Sequence, residues 1–368
     1  MSSDVRLDAL NAWLERVLPA PISSIAPATS DASFRRYFRI TLAGDVALPA
    51  DGTPVRTLIA MDAPPAQEDS ASFVAVAALL AAAGVHAPTV HAQDLSAGFL
   101  LLSDLGTRTY RDALDDATAP ALYRDACSAL IAWQLASRDS VLPRYDEAML
   151  ARELAIFPDW YVARHLGVTL TVAQRETLDS AFRQVLDSAL KQPLVYVHRD
   201  FHSRNLMVTQ PNPGVLDFQG AVYGPISYDL VSLLRDAYID WSEEQELDWT
   251  VRYWERAREA QLPVAEDFGD FWRDFEWMGV QRHLKIVGIF ARLAHRDGKH
   301  GYLADIPRVM RYLAAPATAT GRSARCCSCS TSSRQGSRWS GTRSDGCRDR
   351  SPSRHFAADG HDPGGRPR

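Results

Sequence analysis

The middle of the chain carries two carboxylates and a carboxamide at a spacing that suits chemistry on a phosphate group. Asp200 stands in a short loop, Asn205 follows five residues later, and Asp217 ends the next short apolar run. Phosphoryl transfer requires a carboxylate near the accepting hydroxyl and oxygen ligands that hold Mg²⁺ against nucleotide phosphates. These residues supply such a set, and the apolar runs flanking the loop would fix its geometry.

The order of these residues makes the signal specific. The loop reads His-Arg-Asp-x4-Asn from His198 to Asn205, and an Asp-Phe pair follows at short range. This is the catalytic-loop and metal-loop pattern of protein-kinase-type enzymes. The alternative interpretation is that Asp200 and Asp217 are structural and pair with neighbouring arginines beside a hairpin, but the pattern also requires the asparagine and the phenylalanine.

Hydrophobic periodicity and turn residues predict the elements that hold this loop. A small lobe with helices and strands comes first, and a mainly helical region with a short β island follows. The predicted helices are residues 4–18, 70–83, 109–137, 146–166, 172–190, 226–240, 243–260, 266–295 and 305–313. The predicted strands are residues 34–42, 55–61, 89–92, 99–103, 194–197, 206–208 and 215–217. The fold class is therefore α+β.

The chain divides into three predicted parts. Residues 1–104 form the small lobe, residues 105–313 form the helical lobe, and residues 314–368 form a tail. The last 48 residues hold ten Arg, ten Ser and four Cys but no Leu, Ile or Val, so they cannot bury a core and are predicted to be disordered. The alternatives are an arginine-rich nucleic-acid arm, a metal site, or a frameshift near residues 314–321. The candidate metal ligands are Cys326, Cys327, Cys329, Cys347 and His355.

Composition excludes several classes of protein. With 46% hydrophobic and 23% charged residues the chain is globular, and a net charge of −5 does not favour nucleic-acid or membrane binding. The N terminus lacks the features of a signal peptide, and the longest apolar run, residues 73–85, is too short to cross a bilayer. We therefore expect a cytoplasmic monomer. Cys127 is the one cysteine before residue 320, which excludes a disulfide framework there.

The catalytic and metal loops resemble the aminoglycoside phosphotransferase and choline-kinase-like family, a branch of the protein-kinase fold. Residues 224–230, Gly-Pro-Ile-Ser-Tyr-Asp-Leu, resemble the family segment in which an Asp-Leu pair anchors the following helix. Residues 30–39, 58–65 and 281–293 resemble bacterial anomeric sugar kinases. Those enzymes phosphorylate N-acetylmuramic acid and N-acetylglucosamine at the anomeric hydroxyl in peptidoglycan recycling.

The resemblance covers about residues 5–313 and implies a two-lobed fold, with a small antiparallel-sheet N-lobe and a large, mainly helical C-lobe. It implies ATP and Mg²⁺ as cofactors and an amino sugar as substrate. Asp200 would be the catalytic base, Asn205 and Asp217 would bind Mg²⁺, and His198 would buttress the loop.

The resemblance also implies a nucleotide site, with one departure. The loop from Ser30 to Ser33 would cover the phosphates, and the hinge, including Ser103 and Leu105, would offer backbone groups to adenine. Protein kinases hold the phosphates with a lysine on the third strand, but the first 190 residues contain no lysine. An arginine would have to replace it, and its planar fork would change the geometry. The candidates are Arg35, Arg36, Arg39 and Arg56.

The acceptor site is the least defined part of the sequence. A lactyl carboxylate requires a cation, and the segment around residues 277–292 offers Arg282, His283 and Lys285. His202 would either approach the substrate or cap the loop. Aromatic residues that could stack on a sugar ring, or simply belong to the core, are Trp160, Tyr161, Tyr223 and Tyr228.

Two other functions remain open. The same chemistry could act on another small hydroxylated acceptor, such as an aminoglycoside, choline or homoserine. A catalytically inactive kinase-like binding module would explain the missing lysine, although the intact Asp200, Asn205 and Asp217 argue against it. A nucleic-acid function rests only on the tail.

Overall fold

The computed structural model of the chain describes residues 4–29, 34–47 and 54–319. Ser30 and Ser33, which were predicted to cover the phosphates, lie outside the described residues. So do residues 320–368, which contain most of the predicted tail and all of its candidate metal ligands.

A five-stranded antiparallel sheet forms the first lobe, in the order β1-β2-β3-β5-β4. Its strands are β1 (Ile22–Thr29), β2 (Arg36–Ala47), β3 (Pro54–Asp62), β4 (Val90–Asp94) and β5 (Phe99–Ser103). Side chains alternate between the two faces of each strand, so neighbouring residues of β2 and β3 belong to different layers.

The two faces of the sheet pack against different helices. Helix α1 (Val5–Val17) places Leu10 and Leu14 against one face, where they contact Ile40 and Leu58. Helix α2 (Ser70–Ala82) covers part of the other face, and its core continues into the second lobe. The face that carries Arg39 therefore looks toward the helical lobe.

Helices dominate the second lobe. They are α3 (Tyr110–Ala113), α4 (Ala119–Leu135), α5 (Glu147–Ile156), α6 (Val172–Lys191), α7 (Tyr228–Leu234), α8 (Glu243–Glu259), α9 (Phe268–Asp297) and α10 (Ile306–Ala319). A π-helical segment, Phe157–His165, continues α5, and a 3-10 segment, His300–Asp305, precedes α10. Helix α9 runs through the centre of the lobe and contacts α5, α6, α7 and α10.

One glycine allows α9 to lie directly on α5. A Cβ atom at Gly288 would stand 2.7 Å from the carbonyl carbon of Ile156 and 2.8 Å from the backbone nitrogen of Phe157. Real Cβ atoms do not approach backbone so closely, and well-packed interiors rarely absorb even one added methyl group without strain. The close approach keeps the middle of α9 beside α5, where both helices contribute to the site described below.

Four short strands hold the catalytic loop inside the helical lobe. They are β6 (Leu194–Val197), β7 (Leu206–Met207), β8 (Gly214–Val215) and β9 (Val222–Pro225). Strand β6 pairs with β9, and β7 pairs with β8, both antiparallel. The loop from residue 198 to residue 205 thus begins where β6 ends and ends where β7 begins, so each side of it is attached to an antiparallel strand pair. Residue 217 follows β8 by two positions.

The predicted fold class and the two-lobed, kinase-like arrangement are confirmed, and two strands were missed. Strand β1 contains Pro27 and small polar residues, and strand β9 contains Gly224 and Pro225, so neither segment shows the alternation of a strand. Both strands lie at the edge of their sheets, where proline is tolerated. Position in the sheet, rather than residue type, made them strands.

Four predicted helices differ clearly from the structure, and one of them, predicted over residues 226–240, is the short helix α7, which ends at Leu234. The helix predicted over residues 109–137 is split into α3 and α4 because Asp115 accepts hydrogen bonds from the backbone of Ala117 and Thr118 in the connecting turn. The helix predicted over residues 146–166 changes from α to π at Phe157. Helix α10 continues to Ala319, beyond the predicted lobe boundary at residue 313.

Within residues 4–29, 34–47 and 54–319, no helix combines the length and the apolar character that crossing a bilayer demands.

Candidate active site

Asp229, at the start of α7, holds the catalytic loop in place. Its carboxylate accepts hydrogen bonds from the backbone N–H groups of His198 (2.6 Å) and Arg199 (2.9 Å). Arg199 has a positive φ of 79°, a conformation that non-glycine residues rarely adopt. Burial raises the pKa of Asp229 to about 7, while the two backbone donors oppose that rise. The anchoring aspartate of the Asp-Leu pair therefore acts on the loop as well as at the helix start.

A second carboxylate anchors the far side of the loop. Asp236, which follows α7, is buried and accepts a hydrogen bond from the backbone N–H of Ser203 at 2.9 Å. The loop is thus held at both ends by carboxylates from one short helix and the turn after it. No sequence pattern marked Asp236 for this role.

His198 is buried and buttresses Asp200, as the resemblance implied. The backbone N–H of Asp200 lies 3.2 Å from Nδ1 of His198, which accepts its hydrogen bond. Burial lowers the pKa of His198 to about 4, so the ring stays neutral at ordinary pH and Nδ1 remains an acceptor. The imidazole fixes the backbone of the loop.

Asp200 is partly buried and lines a cavity of the helical lobe. Loss of water raises its pKa, but the positive charges of Lys285, His202 and Arg199 outweigh that effect, and the net pKa lies below the usual value. A carboxylate in this setting is ionised at neutral pH and can accept a proton or a hydrogen bond from a hydroxyl.

Asn205 and Asp217 meet beside Asp200. The Nδ2 atom of Asn205 donates to the backbone carbonyl of Asp200 at 3.0 Å and lies 3.4 Å from Oδ2 of Asp217. Asp217 has a positive φ of 60°, which turns its side chain out of the β8 segment. The structure therefore brings together the three residues that the sequence pattern joined.

Gln219 stands where the metal loop of the family carries glycine, and it has a defined role. Its Nε2 atom donates to Oδ1 of Asp217 at 2.7 Å. The departure from the family pattern therefore adds a hydrogen bond that orients the Asp217 carboxylate.

The donor set fits a magnesium ion. Asn205 uses its amide nitrogen inside the protein, which leaves its carbonyl oxygen, together with the Asp217 carboxylate, as hard oxygen ligands. Magnesium is typically held by one or two protein oxygen groups, with phosphates and waters completing its shell. Among the described residues, no cluster of three or more His, Cys, Asp or Glu residues offers an all-protein metal cage.

A buried charge network, absent from the sequence prediction, lies beneath the loop. The Glu153 carboxylate of α5 accepts hydrogen bonds from Arg199 and from the hydroxyl of Tyr145. It also forms an ion pair with Lys285 of α9 at 3.0 Å, and Lys285 donates to the hydroxyl of Tyr228 at 3.0 Å. Burial raises the pKa of Glu153, but Lys285 and Arg199 outweigh it and leave the net pKa below its usual value.

A cavity of about 150 Å³ opens beside Asp200, between α7 and α9. Its polar side carries His202, Arg282, Lys285 and Tyr228 in addition to Asp200. The remaining wall is apolar and aromatic and is formed by Ala237, Tyr238, Ile286, Ile289, Phe290, Leu293 and Tyr302. The cavity has the mixed lining that suits a small polar ligand with apolar substituents.

Two predicted acceptor residues, His202 and Arg282, line this cavity. The ring of His202 packs edge-on against Tyr238, with centroids 5.6 Å apart, and its buried Nδ1 atom has no hydrogen-bond partner in the described chain. Burial lowers the pKa of His202, and the nearby Arg282 and Arg204 lower it further, which outweighs the opposing carboxylates.

His283 is placed elsewhere, although it neighbours Arg282 in the chain. Its Nε2 atom lies 3.1 Å from the backbone carbonyl of Arg235, and its ring stacks on Tyr312 at 4.9 Å. Successive helical residues differ in direction by about 100°, so His283 turns into the core behind the cavity. It does not appear among the residues that line the cavity.

The hinge is fixed by an arginine from the sheet. Arg39 of β2 donates to both carboxylate oxygens of Asp104, at 2.7 and 2.9 Å, and to the carbonyl of Gly106 at 2.8 Å. Ser103 ends β5, and its hydroxyl accepts the backbone N–H of Thr89 at 2.9 Å.

Leu105, the other predicted hinge residue, packs on β8. A Cβ atom at Gly214 would stand 2.9 Å from Cδ1 of Leu105, so the two residues pack closely and a side chain at position 214 would displace that of Leu105. The hinge and the β7–β8 pair that precedes the metal loop are therefore in direct contact.

The arginines proposed to replace the missing lysine lie in different settings. Arg36 pairs with Asp4 and Asp62, Arg39 pairs with Asp104, and Arg56 is exposed. Arg35 forms an ion pair of 2.8 Å with Glu68, just before the start of α2. Kinases pair their phosphate-binding lysine with a glutamate of the corresponding helix, so Arg35 has the arrangement most similar to that pair.

Comparisons with known proteins also indicate a phosphotransferase. The profile of the phosphotransferase enzyme family matches residues 24–262. An N-acetylmuramate/N-acetylglucosamine kinase of Pseudomonas aeruginosa is 50% identical over 323 residues, covering 85% of this chain and 92% of that protein. The enzyme of the same name from Neisseria meningitidis is 49% identical over 308 residues, covering 83% and 89%.

Among solved structures, the ADP-bound aminoglycoside phosphotransferase APH(2'')-Ib is similar in fold. It superposes with a TM-score of 0.54 at 15% sequence identity, over 84% of this chain and 97% of that one.

Proposed function

The chain belongs to the phosphotransferase enzyme family, and on that premise we propose that it transfers the γ-phosphate of ATP to the anomeric hydroxyl of N-acetylmuramic acid, N-acetylglucosamine or both. The observation that carries the proposal is the meeting of Asp200, Asn205 and Asp217 beside a cavity with both polar and apolar walls. The relatives from Pseudomonas aeruginosa and Neisseria meningitidis, which are 50% and 49% identical to this chain and are named as kinases of these two sugars, support the choice of substrate.

Asp200 acts as the base in this proposal. Its carboxylate lines the cavity, and the surrounding positive charges keep it ionised. It accepts the proton of the anomeric hydroxyl as that oxygen attacks the γ-phosphorus, and ADP leaves on the opposite side. Because phosphoryl transfer needs little covalent work from the protein, positioning and charge supply most of the rate.

Asn205 and Asp217 hold Mg²⁺ in this proposal. When bound, the ion neutralises phosphate charge and orients the nucleotide. The protein's part is to fix the two ligands: Asp200 orients the amide of Asn205 through its backbone carbonyl, and Gln219 orients the carboxylate of Asp217.

ATP would bind between the sheet and the metal loop. The hinge, including Ser103 and Leu105, would contact adenine, and Arg35 would face the phosphates together with Ser30 and Ser33. The Arg35–Glu68 pair supports this choice because it resembles the lysine–glutamate pair with which kinases hold the phosphates, whereas Arg36 and Arg39 pair with aspartates of the sheet and the hinge. The reaction belongs to peptidoglycan recycling in the cytoplasm, where ATP is available.

Other acceptors are less well suited to the cavity. Choline and aminoglycosides are cationic, and the cavity places Arg282 and Lys285 beside the reactive carboxylate. An inactive binding module would not need Asp200 ionised between two fixed metal ligands. Both alternatives predict that amino sugars are not turned over.

Incubation with ATP, Mg²⁺ and a panel of acceptors tests the proposal. We expect N-acetylmuramic acid or N-acetylglucosamine to yield a sugar 1-phosphate, identified by the phosphorus coupling of its anomeric proton in NMR. Choline, homoserine and an aminoglycoside serve as competing acceptors in the same assay. Turnover of one of these, with no product from either amino sugar, would refute the substrate assignment.

A further inference from the structure

The acceptor cavity contains one cation, Arg282, that forms no ion pair in the described protein, although its charge acts on the buried Asp229 carboxylate and lowers the pKa of that group. Arg282 is 3% exposed, and its Nη1 atom has no hydrogen-bond partner in the described chain. The ion pairs of the surrounding region go to Arg199, Arg235 and Lys285 instead. Arg282 has none of these, although its side chain lines the cavity.

The contrast with Lys285 on the same helix shows what is unusual. Lys285 also lines the cavity, but it forms an ion pair with Glu153 at 3.0 Å and donates a hydrogen bond to the hydroxyl of Tyr228. Leaving a buried charge without a partner is costly, and each such group calls for an explanation. Because Arg282 lines a cavity of ligand size, a ligand that brings a negative charge would supply the missing partner.

Building on the proposed function, we propose that Arg282 binds the lactyl carboxylate of N-acetylmuramic acid and makes the enzyme prefer this sugar acid over N-acetylglucosamine. The two sugars differ at C3, where the first carries an O-lactyl ether and the second a hydroxyl. A guanidinium can hold a carboxylate with two parallel hydrogen bonds, which gives both strength and orientation.

The γ-phosphate of ATP is the other anion in the reaction, and the geometry favours the carboxylate. The phosphate lies with the metal ligands, but Asn205 and Asp217 are not among the residues that line the cavity. Arg282 instead shares the cavity with apolar side chains of α9, Ile286, Ile289 and Leu293. That surface suits the methyl groups of a lactyl ether and an acetamide.

Substitution of Arg282 by glutamine tests the assignment. Loss of a charged hydrogen-bonding partner lowers kcat/KM for N-acetylmuramic acid by roughly 10- to 100-fold. For N-acetylglucosamine, kcat/KM should fall far less than for the sugar acid, and the KM for ATP should not change. Arg296→Gln is the matched control, since Arg296 lies near the end of the same helix, exposed and paired with Asp297.

A second measurement needs no variant and covers the case in which Arg282→Gln fails to fold. The methyl ester of N-acetylmuramic acid keeps the shape of the sugar acid and removes its charge. In the unmodified protein, kcat/KM for the ester should be well below that for the acid and close to that for N-acetylglucosamine.

The outcomes separate this inference from the function on which it rests. If the ester reacts as well as the acid, Arg282 does not bind the carboxylate. The same conclusion follows if Arg282→Gln lowers kcat/KM equally for both sugars and raises the KM for ATP. In either case the kinase assignment stands. If neither sugar is phosphorylated by the unmodified protein, the proposed function and this inference both fail.

Discussion

The arginines of the sheet lobe and Arg282 of the helical lobe stand in opposite electrostatic situations. Arg36 reaches Asp4 and Asp62, and Arg39 holds Asp104 with both ends of its fork. Arg282 is more deeply buried than either and has no carboxylate partner in the described chain. Arg36 and Arg39 therefore brace the first lobe, whereas Arg282, which has no ion pair, is available to a ligand.

The first lobe contains no lysine that could hold the phosphates of ATP, and its arginines do not simply replace one. Most of its arginines near the hinge and the sheet edge are structural, so a basic residue there is not by itself a phosphate ligand. In the second lobe, Glu153 pairs with Arg199 and Lys285, whereas Arg282 lines the cavity without an ion pair, beside the reactive carboxylate of Asp200. Variants at Glu153, Arg35 and Arg39 test which of these ion pairs only brace the fold and which also serve the reaction.

Removing the charge of Glu153 should have the largest effect. Glu153→Gln leaves Arg199 and Lys285 as buried cations without their carboxylate, which costs about 3–5 kcal/mol in the free energy of unfolding. It also removes support from the catalytic loop, so kcat should fall by about 100-fold or more. Urea unfolding and steady-state kinetics check both effects.

Glu147→Gln, at the exposed start of the same helix, is the matched control and should change neither quantity. Near-normal kcat in Glu153→Gln would show that the buried network does not support catalysis.

Replacing Arg35 should weaken nucleotide binding without disturbing the acceptor site. If Arg35 contacts the phosphates, Arg35→Gln raises the KM for ATP by about 10-fold, the value of one charge-assisted hydrogen bond. The KM for the sugar should be unchanged. Arg56→Gln, on the exposed part of β3, serves as the control, and an unaltered KM for ATP in Arg35→Gln would assign Arg35 a purely structural role.

Arg39 should behave as a structural residue. Arg39→Gln breaks the bidentate pair with Asp104 and should lower the free energy of unfolding by about 1–3 kcal/mol, with a smaller effect on the KM for ATP than Arg35→Gln. A double-mutant cycle with Asp104→Asn measures the coupling between the two side chains. A larger effect on ATP binding than on stability would reverse the roles of Arg35 and Arg39.

His283 should make a small, pH-dependent contribution to stability. Burial lowers its pKa to about 3, against an ordinary value of 6.5, so below pH 6.5 the unfolded chain binds a proton that the folded chain does not. Stability therefore falls as the pH drops, by up to about 1.4 kcal/mol per pH unit for this group. Urea unfolding of His283→Gln between neutral and mildly acidic pH should show a shallower fall, and an equal slope would contradict the buried, neutral state.

The sequence predicted the catalytic loop well because its parts are close in the chain. Asp200, Asn205 and Asp217 lie within eighteen residues, and short strands fix their relative positions. Glu153 could not be predicted, because it reaches the site only through the packing of α5 on α9, which Gly288 permits. The edge strands β1 and β9 were missed because their proline, glycine and small polar residues do not alternate as a strand does, and only pairing with β2 and β6 defines them.

The acceptor residues show where residue type alone misleads. Arg282 and His283 were equally plausible as substrate ligands, but only Arg282 lines the cavity. The other residues of α9 that line it are Lys285, Ile286, Ile289, Phe290 and Leu293. Because Phe290 follows His283 by two helical turns, spacing alone does not exclude His283, and its contacts with Arg235 and Tyr312, which come from distant segments, could not be predicted from the sequence.

The central claim is that Asp200 acts as the base for attack by an anomeric hydroxyl, and one variant tests it most directly. Asp200→Asn keeps the size of the side chain and removes its charge. The account predicts that formation of sugar 1-phosphate falls by about 10²- to 10⁴-fold, while ATP binding, measured by calorimetry, stays close to normal. Turnover within severalfold of the unmodified protein would contradict it.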